Sequence, residues 1–169
     1  MKTCKWLAVY LSIILLVVAC SPDKIQPVIA ISPANAGGVK QLARLGKEGS
    51  EEVAWSPDGR QLVVATSKGI YLYDPETLEQ KGIIDPGDFV WSVAFSLDGR
   101  NLASSTHASS TGSSIPADYR VKLWDASSGR LLNTFEGSTM FVTSVAFSPN
   151  GWMLASGAGD GTTRLWGIP

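Results

Sequence analysis

From Val53 onward, apolar and polar positions alternate in short runs, and each run is cut by turn residues. Leu62-Val63-Val64-Ala65, Ile70-Tyr71-Leu72-Tyr73 and Val121-Lys122-Leu123-Trp124 are rich in β-branched, aromatic and aliphatic types. That composition with a period of two predicts strands. Strands are expected near 52–56, 61–66, 69–73, 78–84, 91–96, 101–105, 120–124, 130–135, 143–148, 153–157 and 162–166. No long helical period interrupts them, so the fold class is all-β.

The runs repeat. Val53-Ala54-Trp55-Ser56-Pro57-Asp58-Gly59, Val93-Ala94-Phe95-Ser96-Leu97-Asp98-Gly99 and Val145-Ala146-Phe147-Ser148-Pro149-Asn150-Gly151 align with one another. Each is followed by an apolar stretch, of which Leu154-Ala155-Ser156-Gly157 is the third, and then by an aromatic-ended strand. Those strands finish at Tyr73-Asp74, Trp124-Asp125 and Trp166. Glycine in the first turn supplies a positive φ, and Asp74 and Asp125 open second turns. The unit is therefore four short strands, repeated about three times.

The first residues have a different pattern. Lys2 and Lys5 precede an uncharged, almost wholly apolar run from Leu7 to Ala19. That run is shorter than the ~20 residues of a spanning helix and fits a signal-peptide core. It ends in Val17-Val18-Ala19-Cys20, which resembles the lipobox of bacterial lipoproteins. The resemblance implies cleavage before Cys20, lipid on its sulfur, and residence in the bacterial cell envelope facing away from the cytoplasm. Residues 20–38 carry Pro22, Pro27, Pro33, Gly37 and Gly38, as a flexible tether would. The division expected is 1–19 signal peptide, 20–38 lipidated cysteine and tether, and 39–169 three repeats at about 39–84, 85–135 and 136–169.

Charge and cysteine content narrow the function. The 169 residues have a formal net charge of −1, with basic residues scattered singly. No basic stripe exists to displace counterions from a phosphate backbone, so nucleic acid is not an expected partner. One of the two cysteines lies in the leader, which leaves no intramolecular disulfide or thiolate metal site. No cofactor or metal is expected.

The repeated motif, with its Leu-Ala-Ser-Gly and Leu-Trp-Asp continuations, resembles the WD repeat, also called WD40. The resemblance implies a partial β-propeller of about three four-stranded blades. It also implies a non-enzymatic scaffold for protein partners. Trp55, Phe95 and Phe147 are expected in the core between blades, as are Trp124 and Trp166. Asp58, Gly59, Asp74, Asp98, Gly99 and Asp125 are structural turn positions. Ser156, Asp160 and Trp166 match three members of the family's buried network. The fourth, a histidine, is replaced in the third repeat by Gly137-Ser138, and looser blades are expected. Val39 to Leu45 reads as an outer strand placed to close a ring, in a second chain if three blades cannot close alone. Self-association into a six-bladed ring by strand exchange is the corresponding expectation.

Phe89, Trp91, Met140 and Phe141 fall where one blade passes to the next, on the face where the family meets partners. They are candidate partner-binding residues, with packing under a neighbouring loop as the alternative. His107, the single histidine, lies in a Ser/Thr-rich insertion at 104–119 that is expected to be a mobile loop. A triad of His107 with Ser109 and Asp118 would lack a rigid frame. Gly157-Ala158-Gly159-Asp160-Gly161 reads as a turn between strands, not a phosphate loop. The function expected is an envelope-anchored interaction scaffold for a protein or peptide. The alternative is a decayed fragment of a larger propeller with no activity of its own.

Overall fold

The computed structural model describes residues 33–34, 36–41, 43–45, 49–107 and 119–167. Cys20, the leader and most of the 104–119 insertion lie outside the described residues. The described residues form eleven strands and one short 3₁₀ turn, Ala36–Gly38. The strands are β1 Ser50–Trp55, β2 Leu62–Thr66, β3 Gly69–Tyr73, β4 Gln80–Ile84, β5 Phe89–Phe95, β6 Asn101–His107, β7 Val121–Asp125, β8 Leu131–Phe135, β9 Val142–Phe147, β10 Met153–Ala158 and β11 Thr163–Gly167. They build antiparallel sheets in the orders β1-β2-β3-β4, β5-β6-β7-β8 and β9-β10-β11. Each sheet is a blade.

The turn between the first two strands of each blade explains why the motif has its particular residues. In the first blade the Ser56 hydroxyl donates to Asp58 Oδ1 (2.6 Å) and accepts from the Gln61 N–H (2.9 Å). Asp58 Oδ1 also accepts from the Arg60 N–H at 3.0 Å. Gly59 closes the turn at φ 69°, where a side chain would be strained. Ser96 with Asp98 and Ser148 with Asn150 rebuild the same turn at 2.6 and 2.7 Å. Asn150 serves because the turn needs an acceptor oxygen more than a charge.

Cross-strand register sorts every blade into two faces. One face carries Ala54, Val63 and Leu72 in the first blade, Ala94, Ala103 and Leu123 in the second, and Ala146, Ala155 and Leu165 in the third. The other carries Trp55, Leu62 and Tyr73, then Phe95, Leu102 and Trp124, then Phe147, Leu154 and Trp166. The small aliphatic face of one blade packs on the aromatic face of the next. One core joins Val63, Ala65, Ile70, Leu72 and Ile84 to Val90, Val93, Leu102, Trp124 and Ala126. The second joins Ala103 and Val121 to Val142, Val145 and Leu154, with Phe135, Phe147 and Trp166 at its margin. A backbone clasp crosses each seam: Val93 N–H donates to Glu52 Oε2 at 2.7 Å, and Val145 N–H donates to Ser92 Oγ at 3.1 Å.

Two expectations need correction. Trp55 is not a core residue: it is 56 % exposed, because its face has no blade against it. Phe95, Phe147, Trp124 and Trp166, at the two filled seams, do take part in the cores. Val39 to Leu45 is not a strand among its described residues, 39–41 and 43–45. Its apolar residues Val39, Leu42 and Leu45 recur every third position, which a period-two ladder cannot bury on one side. The three blades therefore form an incomplete, unclosed ring.

Candidate partner-binding face

The connections leaving β2, β4, β6, β8 and β10 all emerge at one end of the blades, because successive strands are antiparallel. Four rings gather there across the seam of the second and third blades. Trp91 and Phe141 centroids lie 5.6 Å apart, Trp91 and His107 5.8 Å, His107 and Phe141 6.1 Å, and His107 and Tyr119 5.9 Å. The His107 and Tyr119 planes stack at 11°, while His107 meets Trp91 and Phe141 edge-on.

Local backbone positions each ring. The β5–β6 ladder shifts register between Val90 and Ser92, which makes Trp91 the extra residue of a β-bulge. Bulges re-aim side chains, and Trp91 leaves the blade's own plane 38 % exposed. His107 is the last residue of β6 and pairs with Phe89. It thus belongs to a strand, as do Ser104, Ser105 and Thr106 from the start of the expected loop. Period-two alternation puts His107 on the same side as Ala103, facing the third blade. Phe141 enters from that blade and seats over Gly159, where a Cβ would come within 2.7 Å of the ring. Gly159 N–H donates to Phe141 O at 2.8 Å, which locks the seat. His107 Nδ1 is shielded from solvent and has no hydrogen-bond partner among the described residues.

Met140 stands beside this cluster, 42 % exposed. Phe89 is opposite His107 in the β5–β6 ladder but makes no ring contact with the four. It lines a neighbouring cleft of about 380 Å³ with Ser67, Lys68, Asp85, Gly87 and Asp88. Tyr119 was not among the candidates. Alternation backward from Val121 puts it on the side of the third blade, and that was its one legible signal. Among the described residues, no group of three or more His, Cys, Asp or Glu side chains could hold a metal ion.

The network around the missing histidine is rebuilt from other groups. Trp166 Nε1 donates to Ser156 Oγ at 3.0 Å, as Trp124 Nε1 does to Ser104 Oγ at 2.9 Å. Asp160 does not join the indole. It accepts from Thr139 N–H (3.0 Å) and the Thr139 hydroxyl (3.1 Å), and it pairs with Arg164 at 3.2 Å. Arg164 also donates to Ser138 and Thr162, and so ties the loop before β9 to the turn after β10. Lys122, one blade back in the same register, donates to Pro86 O at 2.7 Å. A cation thus ties the blade-to-blade loop in both places.

These contacts set a pH dependence. Hydrogen bonds from the Thr162 hydroxyl, then the Thr139 N–H, hold the Asp160 carboxyl well below the usual carboxylate range. The Ser127 hydroxyl, then the Ser128 N–H and hydroxyl, do the same for Asp125. A folded-state pKa below the unfolded value of about 3.9 means stability that is present above that value and is lost as pH falls through the folded one. Thermal midpoints should therefore fall steeply below about pH 4. In Asp125→Asn/Asp160→Asn the midpoint should be lower at pH 7 and the acid slope shallower. Parallel curves for the two proteins would refute this assignment.

With blades, turns and seams in view, comparison with known proteins decides the family. The model for "WD domain, G-beta repeat" matches residues 80–125 and 129–167. The chain belongs to the WD40 family. Each matched WD repeat starts on the outer strand of one blade and ends on the third strand of the next, β4 to β7 and β8 to β11. This stagger binds neighbouring blades covalently. The chain is 29 % identical over 110 residues to serine-threonine kinase receptor-associated protein of Gallus gallus, spanning 65 % of this chain and 29 % of that one. It is 29 % identical over 120 residues to the B-type cell cycle switch protein ccs52B of Medicago truncatula, spanning 69 % of this chain and 23 % of that one. The chain thus spans less than a third of the length of either relative. The crystal structure of the RRP9 WD40 repeats superimposes with a TM-score of 0.64 at 22 % identity, over 74 % of this chain and 37 % of that chain. That likeness concerns the fold.

Proposed function

We propose that this WD-repeat chain is a non-enzymatic binding platform that meets a protein or peptide partner through Trp91, Met140, Phe141, His107 and Tyr119. The observation that carries the reading is the ring cluster at the seam of the second and third blades, with Trp91 turned outward by a bulge. WD-repeat proteins mediate protein interactions, and an exposed tryptophan seated on rigid strands has the features of a binding hot spot. Its indole offers a large apolar surface at little conformational cost, and the neighbouring rings hold it still. The occupant this suits is a segment with aliphatic or aromatic side chains.

We further propose that the platform is tethered to a bacterial envelope membrane through lipid on Cys20, as the lipobox-like run to Cys20 supports. Phe89, the ladder partner of His107, is left out of the proposed contact because it also lines the neighbouring cleft and stacks on none of the four rings.

A photo-crosslinking residue at Met140 should capture a partner from cells, while the same residue at Trp152, at the opposite end of the blades, should not. Trp91→Ala should then weaken that partner's binding by ~30-fold, the effect of losing a hot-spot side chain worth about 2 kcal/mol. Equal capture from both sites would exclude this face. Metabolic labelling with a fatty-acid analogue should mark the wild type and not Cys20→Ala, and equal labelling would exclude the tether.

A further inference from the structure

His107 is the hub of the ring cluster: of the four ring contacts there, three are made by its imidazole. Its two nitrogens sit in different surroundings. Nδ1 is shielded from solvent with no hydrogen-bond partner among the described residues. Nε2 is not shielded in this way, and no group among the described residues bonds to it. A neutral imidazole divides the roles, with one nitrogen a donor and the other an acceptor. A proton on Nδ1 would be a buried donor with nothing to receive it beyond, at best, a ring face, which accepts weakly. Orphaned buried N–H groups are rarer than under-satisfied acceptors, whereas a proton on Nε2 is hydrated in the unbound protein. The surroundings therefore make Nε2 the donor.

We infer that His107 Nε2–H is the donor by which the ring cluster selects its ligand, and that it bonds a main-chain carbonyl of a peptide segment lying across the cluster. This rests on the partner face proposed above and adds the polar half of its chemistry. An apolar side chain of the segment covers Trp91 and Met140, and the carbonyl beside it meets the imidazole. A ligand that covered the hub with apolar surface alone would leave Nε2–H stripped of water and unpaired. The face that attracts apolar side chains thus rejects those that bring no acceptor. The surrounding rings keep water from the bond, which strengthens it.

The acceptor is neutral. Arg120, next to Tyr119, lies 3.2 Å from Glu136, and Arg164 lies 3.2 Å from Asp160. A carboxylate would give up its water among the rings and find these cations already paired. A main-chain carbonyl is a strong acceptor without that charge, and every peptide carries one beside each side chain. The donor is also preset. His107 ends β6 and pairs with Phe89 in the ladder, so its backbone is held before a ligand arrives.

Nitrogen NMR of the isotope-labelled full chain in detergent micelles tests the first step. His107 is the only histidine of the 169 residues, so its two ring nitrogens are identified directly. Under mildly alkaline conditions the proton should sit on Nε2 and Nδ1 should be bare. A proton on Nδ1, or the averaged signals of a free histidine, would overturn the inference. Peptides from a random linear library on phage, kept when they bind the wild type and not Trp91→Ala, are the probe for the second step. His107→Phe keeps a ring without the donor and should weaken these peptides by about tenfold. His107→Gln, whose amide N–H reaches near the same point, should recover most of the affinity. An ester in place of one amide link weakens that carbonyl as an acceptor. At one position it should weaken binding to the wild type and leave binding to His107→Phe unchanged. Both variants should keep the β-sheet circular dichroism, and His107→Leu replaces the phenylalanine if that one does not. Peptides bound equally by wild type and His107→Phe would overturn this inference and leave the partner face standing. A library with no peptide that distinguishes wild type from Trp91→Ala would count against the partner face itself, and this inference would fall with it.

Discussion

Leu102→Ala is expected to destabilise the protein by about 3 kcal/mol. Leu102 has no exposed surface and belongs to the core that joins the first and second blades. Its neighbours are held by two sheets whose ladders fix their spacing, so the space left by the lost methyls collapses only in part. The cost is then a transfer term plus a cavity term, and values of ~2–5 kcal/mol are usual for such sites. Against a typical stability of about 5–15 kcal/mol, that is a large fraction. The thermal midpoint should drop by roughly 10 °C. Leu97→Ala is the control: Leu97 is 64 % exposed in the turn between β5 and β6, and its loss should stay within about 0.5 kcal/mol. Equal effects at the two positions would mean that the first seam is not packed as described.

The second large effect concerns the indole of Trp124. Its Nε1 donates to Ser104 Oγ at 2.9 Å, and Ser104 is fully buried. Trp124→Phe leaves that hydroxyl without its partner, at about 1–3 kcal/mol, and also leaves ring volume unfilled. A total loss of ~2–4 kcal/mol is expected. Ser104→Ala should hurt for the mirror reason, since it strands a buried N–H. The double variant Trp124→Phe/Ser104→Ala should lose less than the two singles together, with a coupling on the order of 1–2 kcal/mol by chemical denaturation. Additive losses would show that the bond contributes no net stability. The third-blade pair, Trp166 and Ser156, makes the same bond at 3.0 Å but is only part-buried, so its coupling should be smaller. The comparison measures what fuller burial of the same bond adds.

Much of this protein was determined by local chemistry, and that part was legible in sequence. The eleven strands lie within two residues of their expected bounds, because alternation and β-branched residues act strand by strand. The Ser-Pro-Asp-Gly turn was legible for the same reason: Ser56, Asp58 and Gly59 satisfy and shape only their own turn. The WD resemblance then supplied the blade as a unit.

Tertiary structure decided what depends on a neighbour. Trp55 has the same local sequence as Phe95 and Phe147, yet it is exposed, because burial requires another blade and alternation cannot say whether one is there. Asp160 matched a family position, but Arg164 and Thr139, from across the turn and the preceding loop, took its bonds. At the candidate site the sequence could offer Trp91, Phe141 and His107 only separately. The bulge that turns Trp91 outward is a register shift between strands, and Tyr119 reaches His107 only through the fold. Periodicity specifies which side of its own strand a residue takes. The blade packed against that side makes it core, site or open face.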